Sequence, residues 1–586
     1  MNKTVHRISS FILLLLLYAA VLIQPVAADD TTPGTPQAAV ASAHPLATQA
    51  GLDIMRQGGN AFDAAVAVSA ALAVVEPYSS GIGGGGFYLL HKVHPGADSA
   101  SKTDDGDRPT RKRGRYIMVD ARERAPLRSH ADMYLDDTGE VVDNASINGA
   151  LSAGIPGLPA AMVHLAEKYG ELTLAQSLAP AVRHAREGFS VDAHYQRMAT
   201  FRHDAFLQND AASSIFLKED EVPELGTLII QTDLADTLEL IATSGHSAFY
   251  EGELALKMVK DVRKHGGIWT MKDLATYEIK ERAPEVTIYK GMMVVAASLP
   301  SSGGLVISEI LNMLSHYELS KMEEAQRIHV ITEAMRRAYR DRAEYMGDPD
   351  FIEVPVDRLV SAQYTRQLLE TLSLESATPS DSLKAVAQPS GDGTDTTHFS
   401  VIDKHGNKVS ATLSINYPFG SCFVPQGTGV LLNDEMDDFV SKPGVPNVYG
   451  LVGSHANAIE PGKRMLSSMT PSIVETRDEV AIIGTPGGSR IITMVLLGMV
   501  GFYDGLTADE IVNTGRFHHQ YLPDEISYEP GALDEELVSA LEALGHKTRE
   551  MDYEYGNMQL IIVDKESGEI DAASDGRGVG SAEVLH

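Results

Sequence analysis

The feature that most constrains this 586-residue chain is a short extended segment rich in hydroxyls: Asp395-Thr396-Thr397-His398-Phe399-Ser400, leading on to Ser414-Ile415-Asn416. Thr397, Phe399 and Val401 alternate with polar neighbours, Lys404-His405-Gly406-Asn407 is a turn cluster, and Val409 to Ile415 resumes the extended pattern, which predicts a β-hairpin. Folding about His405 sets Ser414 roughly opposite Thr396. If the bond before Thr396 is cut, Thr396 becomes a new N-terminus whose own α-amine can activate its own hydroxyl. Such a chain would be a zymogen. Hydroxyl pairs across a sheet are also ordinary sheet chemistry, so the fragment alone leaves both readings open.

The order of further motifs along the chain narrows the choice. Asp395–Ser400, Leu432-Asn433-Asp434-Glu435-Met436-Asp437-Asp438-Phe439, Arg464-Met465-Leu466-Ser467-Ser468-Met469 and Gly484-Thr485-Pro486-Gly487-Gly488-Ser489-Arg490 resemble the γ-glutamyltranspeptidases, an N-terminal-nucleophile hydrolase family. Upstream, Gly58-Gly59-Asn60-Ala61-Phe62-Asp63-Ala64-Ala65, Arg122-Glu123-Arg124-Ala125-Pro126, Pro300-Ser301-Ser302-Gly303-Gly304 and Tyr345-Met346-Gly347-Asp348-Pro349 extend the likeness, which runs from about residue 38 to the C-terminus. The resemblance implies an α+β fold, a four-layer αββα sandwich, built as one domain from two autoprocessed segments. These would be a heavy segment, 29–395, and a light catalytic segment, 396–586, held as a heterodimer. Length alone would suggest three or four domains, but no long Pro/Ser-rich linker divides the chain.

A formal net charge of −32 argues against a nucleic-acid partner or an anionic membrane face. Lys3 and Arg7, the apolar run Phe11–Ile23 and the small-residue ending Val26-Ala27-Ala28 have the form of a secretory leader over residues 1–28. An uncleaved signal anchor is the alternative. Export is expected, to a periplasm, the medium or the outer face of a membrane. The single cysteine, Cys422, can form no intrachain disulfide and reads as a small buried residue; no Cys pair suggests structural zinc, and no metal or cofactor is expected. Gly81-Ile82-Gly83-Gly84-Gly85-Gly86 fits a dinucleotide pattern literally, but a helical segment precedes it and a strand follows, so it is expected to be a close-packed turn. Arg111-Lys112-Arg113-Gly114-Arg115 beside acidic neighbours reads as a solvated insertion. Glu324–Tyr345 is expected to be a helix burying one face, with His329 structural.

A γ-glutamyl group carries an α-carboxylate and an α-ammonium, so its site needs a cation, acceptors and oriented donors. Arg122 offers a planar fork for the carboxylate, Ser467 and Ser468 offer hydroxyls, and Glu435, Asp438 and Asn416 offer acceptors for the ammonium. The resemblance places all six around the γ-glutamyl moiety and assigns Gly487 and Gly488 to the oxyanion hole. It makes the Pro/Gly-rich stretch from Lys442 to Gly450 a lid with Tyr449 as its inner wall. Thr396 is then the nucleophile, Ser414 its hydroxyl partner and Asp395-Thr396 the cleavage point. Glutathione and other γ-glutamyl compounds are the implied donors, and water, amino acids or dipeptides the acceptors. Ser414 stands where the family usually has threonine, so slower self-processing is expected from a less restrained rotamer. Glu435 stands where some members have glutamine. The rival readings are a related side-chain amide acylase, which would not need the ammonium acceptors, and a catalytically silent secreted homologue.

Overall fold

The computed structural model describes residues 38–93, 114–383, 396–442 and 444–585. The leader, residues 111–113 of the basic insertion and Asp395 lie outside them. In chain order the strands of the two large sheets are β1 (Ala38–Ser42), β2 (Gly85–Val93), β3 (Gly114–Ala121), β4 (Lys280–Arg282), β5 (Glu285–Tyr289), β6 (Met292–Ala296), β7 (Thr397–Ile402), β8 (Lys408–Ser414), β9 (Ser472–Glu475), β10 (Glu479–Gly484), β11 (Gln559–Asp564), β12 (Ile570–Ser574) and β13 (Ser581–Leu585). The first sheet runs β13-β1-β7-β8-β2-β3-β4 and the second β12-β11-β10-β9-β6-β5. Every pairing within both is antiparallel.

The sheets stack face to face, with Ala39, Ala41, Leu89 and Ile402 of the first meeting Val295, Ile473, Val480, Ile482 and Ile561 of the second. The outer face of the first sheet is covered by α1 (Pro45–Arg56), α2 (Ala61–Val75), α3 (Leu158–Tyr169) and α4 (Leu174–Glu187). The second carries α5 (Gly303–Leu314), α6 (Glu324–Tyr345) and α7 (Ile491–Tyr503). Helix α2 starts at a reciprocal cap between Asn60 and Asp63 and is buried on every side, as its continuous apolar sequence requires.

The expected hairpin is β7–β8. Its register pairs Leu413 with Thr397 and Lys408 with Ile402, so one further step sets Ser414 opposite Thr396. Its alternation works differently from a half-solvated strand. Phe399, Val401, Val409, Ala411 and Leu413 face the helices, while the polar residues turn inward between the sheets. Ser400 Oγ lies 3.1 Å from both the Ile482 and the Gln559 carbonyl oxygens and can donate to either, and Ser410 Oγ donates to Ile483 O and accepts from Ser472 N. The hydroxyls therefore stitch one sheet to the other. His398 is fully buried beside Gly484, where burial pushes its imidazole down to about 3, and its Nδ1 lies 2.9 Å from Thr412 Oγ1.

Helix α6 has the expected limits but not the expected single buried face. Its residues from Ile328 to Ala343 are buried apart from the half-buried Arg340. This burial is tolerated because the charges pair: Glu333 accepts from Arg337 (2.6 Å) and Arg336 (3.2 Å). His329 is buried on this helix, its Nε2 donating to Ser373 O and its Nδ1 accepting from His546 Nε2.

Candidate active site

Thr396 sits immediately before β7, 5 % exposed, with its Oγ1 3.5 Å from Ser414 Oγ. Ser414 Oγ accepts from the Asn416 backbone N–H at 2.8 Å. That bond restrains the serine rotamer where threonine would use its methyl group. Asn416 holds φ at +77°, a conformation asparagine tolerates better than most residues, and its Nδ2 donates to Asp434 O. The glycine run is the close-packed turn expected: a Cβ on Gly83 would fall 2.0 Å from Leu431 O, and one on Gly84 2.1 Å from Ser414 O. Cys422 is buried, accepting from Arg202 Nε.

Arg122 leaves the end of β3 and is 1 % exposed. Its Nε donates to Met465 O, Nη1 to Glu435 Oε2 and Nη2 to Asp438 Oδ2, and Glu123 Oε2 lies 3.5 Å from Nη1. Glu435 and Asp438 are the ends of a single 3₁₀ turn. Asn433 positions that turn by accepting from Glu435 N and Gly154 N while donating to Gly83 O and Gly154 O. The sequence reading set Arg122 against a ligand carboxylate and the two acids against a ligand ammonium. In the structure Arg122 instead lies between the two acids, one guanidinium paired with both carboxylates.

Ser467 and Ser468 close the opposite wall. Beyond β10, Gly487 at φ +135° and Gly488 at φ +55° turn the chain toward α7, and a Cβ on Gly488 would lie 2.4 Å from the Tyr449 ring. Tyr449 in turn donates its hydroxyl to Asn416 O at 2.7 Å, so this side chain rests on both the glycine turn and the hairpin exit. Thr396, Ser414, Arg122, Asn416, Glu435, Asp438, Tyr449, Ser467, Ser468 and Gly488 all line one small pocket, and Gly487 is not part of its lining. Thr396 also lines a much larger open cleft with Tyr417, Phe201 and Tyr553. It lines both a small, charged pocket and a larger, more aromatic one.

Burial raises the Glu435 carboxyl to about 7, with the Arg122 charge opposing the rise and Asp438 adding to it. Glu123 is pushed well above the carboxylate range, first by burial and then by Glu435, with Arg122 opposing the rise. Because the folded pKa of Glu435 is raised, the native state holds the extra proton between the ordinary carboxylate pKa and about 7, and stability falls as pH rises through that window. Capture of an ammonium has the opposite sign, since it needs the ionised form. The Michaelis constant for an ammonium-bearing donor is expected to fall about tenfold from pH 6 to pH 8, and Glu435→Gln to flatten that limb. A pH profile of KM unchanged by the substitution would exclude Glu435 as the titrating acceptor.

Two stacked antiparallel sheets between helix layers, with a threonine leading an inner strand beside a charged pocket, define the α+β sandwich of the N-terminal-nucleophile hydrolases. The comparisons agree with that class. A solved cephalosporin acylase from Bacillus halodurans superposes with a TM-score of 0.80 at 28 % identity, covering 94 % of this chain and 96 % of its own. The gamma-glutamyltranspeptidase family model matches residues 47–104 and 108–585, and the chain belongs to that family. The glutathione hydrolase proenzyme of Escherichia coli (strain K12) is 40 % identical over 548 residues, 93 % of this chain and 91 % of that one. The protein of the same name from Pseudomonas sp. (strain A14) is 42 % identical over 527 residues, 89 % and 88 %.

Three residues that shape the site escaped the sequence reading: Glu123, Asn433 and Arg342. Glu123 and Asn433 lie inside motifs quoted above, where their charged and metal-free polar character gave no sign of inward burial. Arg342 lies three residues before Tyr345-Met346-Gly347-Asp348-Pro349, and its signal was a cation in a helix that is otherwise packed.

Proposed function

We propose that this protein is a γ-glutamyltranspeptidase and glutathione hydrolase that matures by cutting itself between Asp395 and Thr396. The observation that carries the reading is the position of Thr396, whose hydroxyl stands between a pocket matched to a small zwitterion and a cleft open to a second molecule. In the precursor, Thr396 Oγ attacks the Asp395 carbonyl carbon and the peptide C–N bond breaks, leaving an ester and a free α-amine. Water hydrolyses the ester and releases the 29–395 segment from the 396–586 segment. In the mature enzyme that amine, with an ordinary pKa of about 8, takes the proton from Oγ as Oγ attacks the γ-carbonyl of the donor. The amides of Gly487 and Gly488 receive the oxyanion. Collapse breaks the γ-amide C–N bond and returns the proton to the departing amine. Water, or the amine of an amino acid or dipeptide entering from the cleft, then attacks the γ-glutamyl ester and restores the threonine.

The charge inventory supports this donor class. Arg122 supplies a cation for the α-carboxylate, whereas Glu435 and Asp438 supply two acceptors that a glutaryl acylase would have no use for. Export rests on the leader pattern at residues 1–28; among the described residues no helix is long and apolar enough to cross a membrane. On a denaturing gel, purified protein is expected to run as two chains whose smaller member begins at Thr396. It is expected to hydrolyse γ-glutamyl-p-nitroanilide at least about a hundredfold faster than glutaryl-p-nitroanilide, because the glutaryl group leaves a buried acid pair without its cation. A single uncut chain, or a preference for the glutaryl donor, would overturn the proposal.

A further inference from the structure

Arg342 lies in the last turn of α6, directly behind the serine wall of the pocket. It is 5 % exposed, and among the described residues no carboxylate pairs with it. A buried guanidinium without an acid partner is costly unless its hydrogen bonds are made and its charge is used. Its bonds are made to hydroxyls only: Nε donates to Ser302 Oγ at 2.9 Å and Nη2 donates to Ser468 Oγ at 3.1 Å. Burial acts against its charge; Tyr339 and then Asp438 favour it, and Arg122 opposes it.

The direction of these bonds matters. A serine hydroxyl has one hydrogen to give, and Ser468 Oγ is already accepting, so its hydrogen is left to point elsewhere. Ser467 is arranged in the same way, its Oγ accepting from Met469 N at 3.0 Å. Among the described residues neither hydroxyl donates to any protein acceptor. Ser302 completes the arrangement: it accepts from Arg342 Nε and donates at 2.7 Å to Ser467 O, tying the serine loop to the helix. The result is two hydroxyls fed by N–H donors from behind and presenting O–H into the pocket, with a positive charge beneath them. That is the polarity an anion requires and the reverse of what an ammonium requires.

We propose that Arg342 is a positioning residue for donor recognition: it fixes Ser468 as a hydrogen-bond donor and lends its charge to the α-carboxylate site, without touching the substrate. This rests on the γ-glutamyl reading of the pocket and adds a second cation to it. The two cations differ in their partners: Arg122 pairs with carboxylates, whereas Arg342 is bonded to hydroxyls.

The test compares L-γ-glutamyl-p-nitroanilide with its α-carboxamide, which keeps the ammonium and the scissile amide but removes the anion. In Arg342→Gln the free-acid donor is expected to lose about tenfold or more in kcat/KM, chiefly through KM, while the α-carboxamide changes by less than about twofold. Maturation on a gel and the melting temperature are read on the same preparation. In a Ser468→Ala background the same substitution should cost the free acid clearly less, because the shared hydroxyl is already gone. Equal losses on both donors would make Arg342 a packing residue and overturn the proposal. Should Arg342→Gln fail to mature, Arg342→Lys and Ser302→Ala carry the same donor comparison. Failure of those two to mature would likewise assign Arg342 to folding and overturn it. A parent enzyme that does not prefer the free acid at all would instead sink the γ-glutamyl reading, a result distinct from every outcome above.

Discussion

Thr396→Ala is expected to remain one full-length chain and to lose γ-glutamyl transfer by at least about 10⁴-fold, since the substitution removes the nucleophile of both reactions at once. The two losses have separate causes. Without Oγ, no ester can form at Asp395, so the chain stays whole. Without cleavage the α-amine remains an amide nitrogen and cannot act as base. Thr396→Ser retains the oxygen and is expected to cut at least in part, more slowly because the freed rotamer must find the attack position. The alanine chain should still fold, for Thr396 precedes β7 and contributes no ladder bond of that strand's register. Mass spectrometry of the purified variants, with donor turnover on the same samples, decides the matter. An alanine chain that still matures by itself and keeps its activity would move the nucleophile to Thr397, the next hydroxyl in the chain.

Arg122→Lys is expected to lower kcat/KM for a γ-glutamyl donor by about 10- to 100-fold, mostly through KM, from the loss of charge-assisted bonds worth about 1.5–3 kcal/mol. Charge is conserved, so the effect isolates geometry. The guanidinium spans Glu435 with one nitrogen, Asp438 with the other and Met465 O with Nε, and a lysine ammonium cannot face all three. It would settle on one acid and leave the other buried without a partner, which also predicts a lower melting temperature. Steady-state kinetics on the free-acid donor and a thermal melt check both parts. Unchanged KM would mean that the ligand carboxylate is held elsewhere, with the serine wall and Arg342 as the remaining cationic site.

Much of this molecule was readable from residues alone. The hairpin, the turn at His405, the opposition of Thr396 and Ser414, the glycine turn at 81–86 and the limits of the 324–345 helix are local: strand period, turn chemistry and helix periodicity act over a few residues and leave direct marks. The pocket's membership came from the family resemblance, which set these residues around one small zwitterion, and the structure brings them to one lining. What the chain could not disclose was partnership. Nothing local says that the polar side of β7 faces a second sheet instead of water, because that depends on β10 and β11 arriving from more than eighty residues away. Nothing local says that Arg122 pairs with the acids expected to receive an ammonium, or that Arg342 is buried, among the described residues, without an acid of its own. Hydrogen-bond direction and the balance of buried charge are properties of assembled neighbours, and only the tertiary structure decides them.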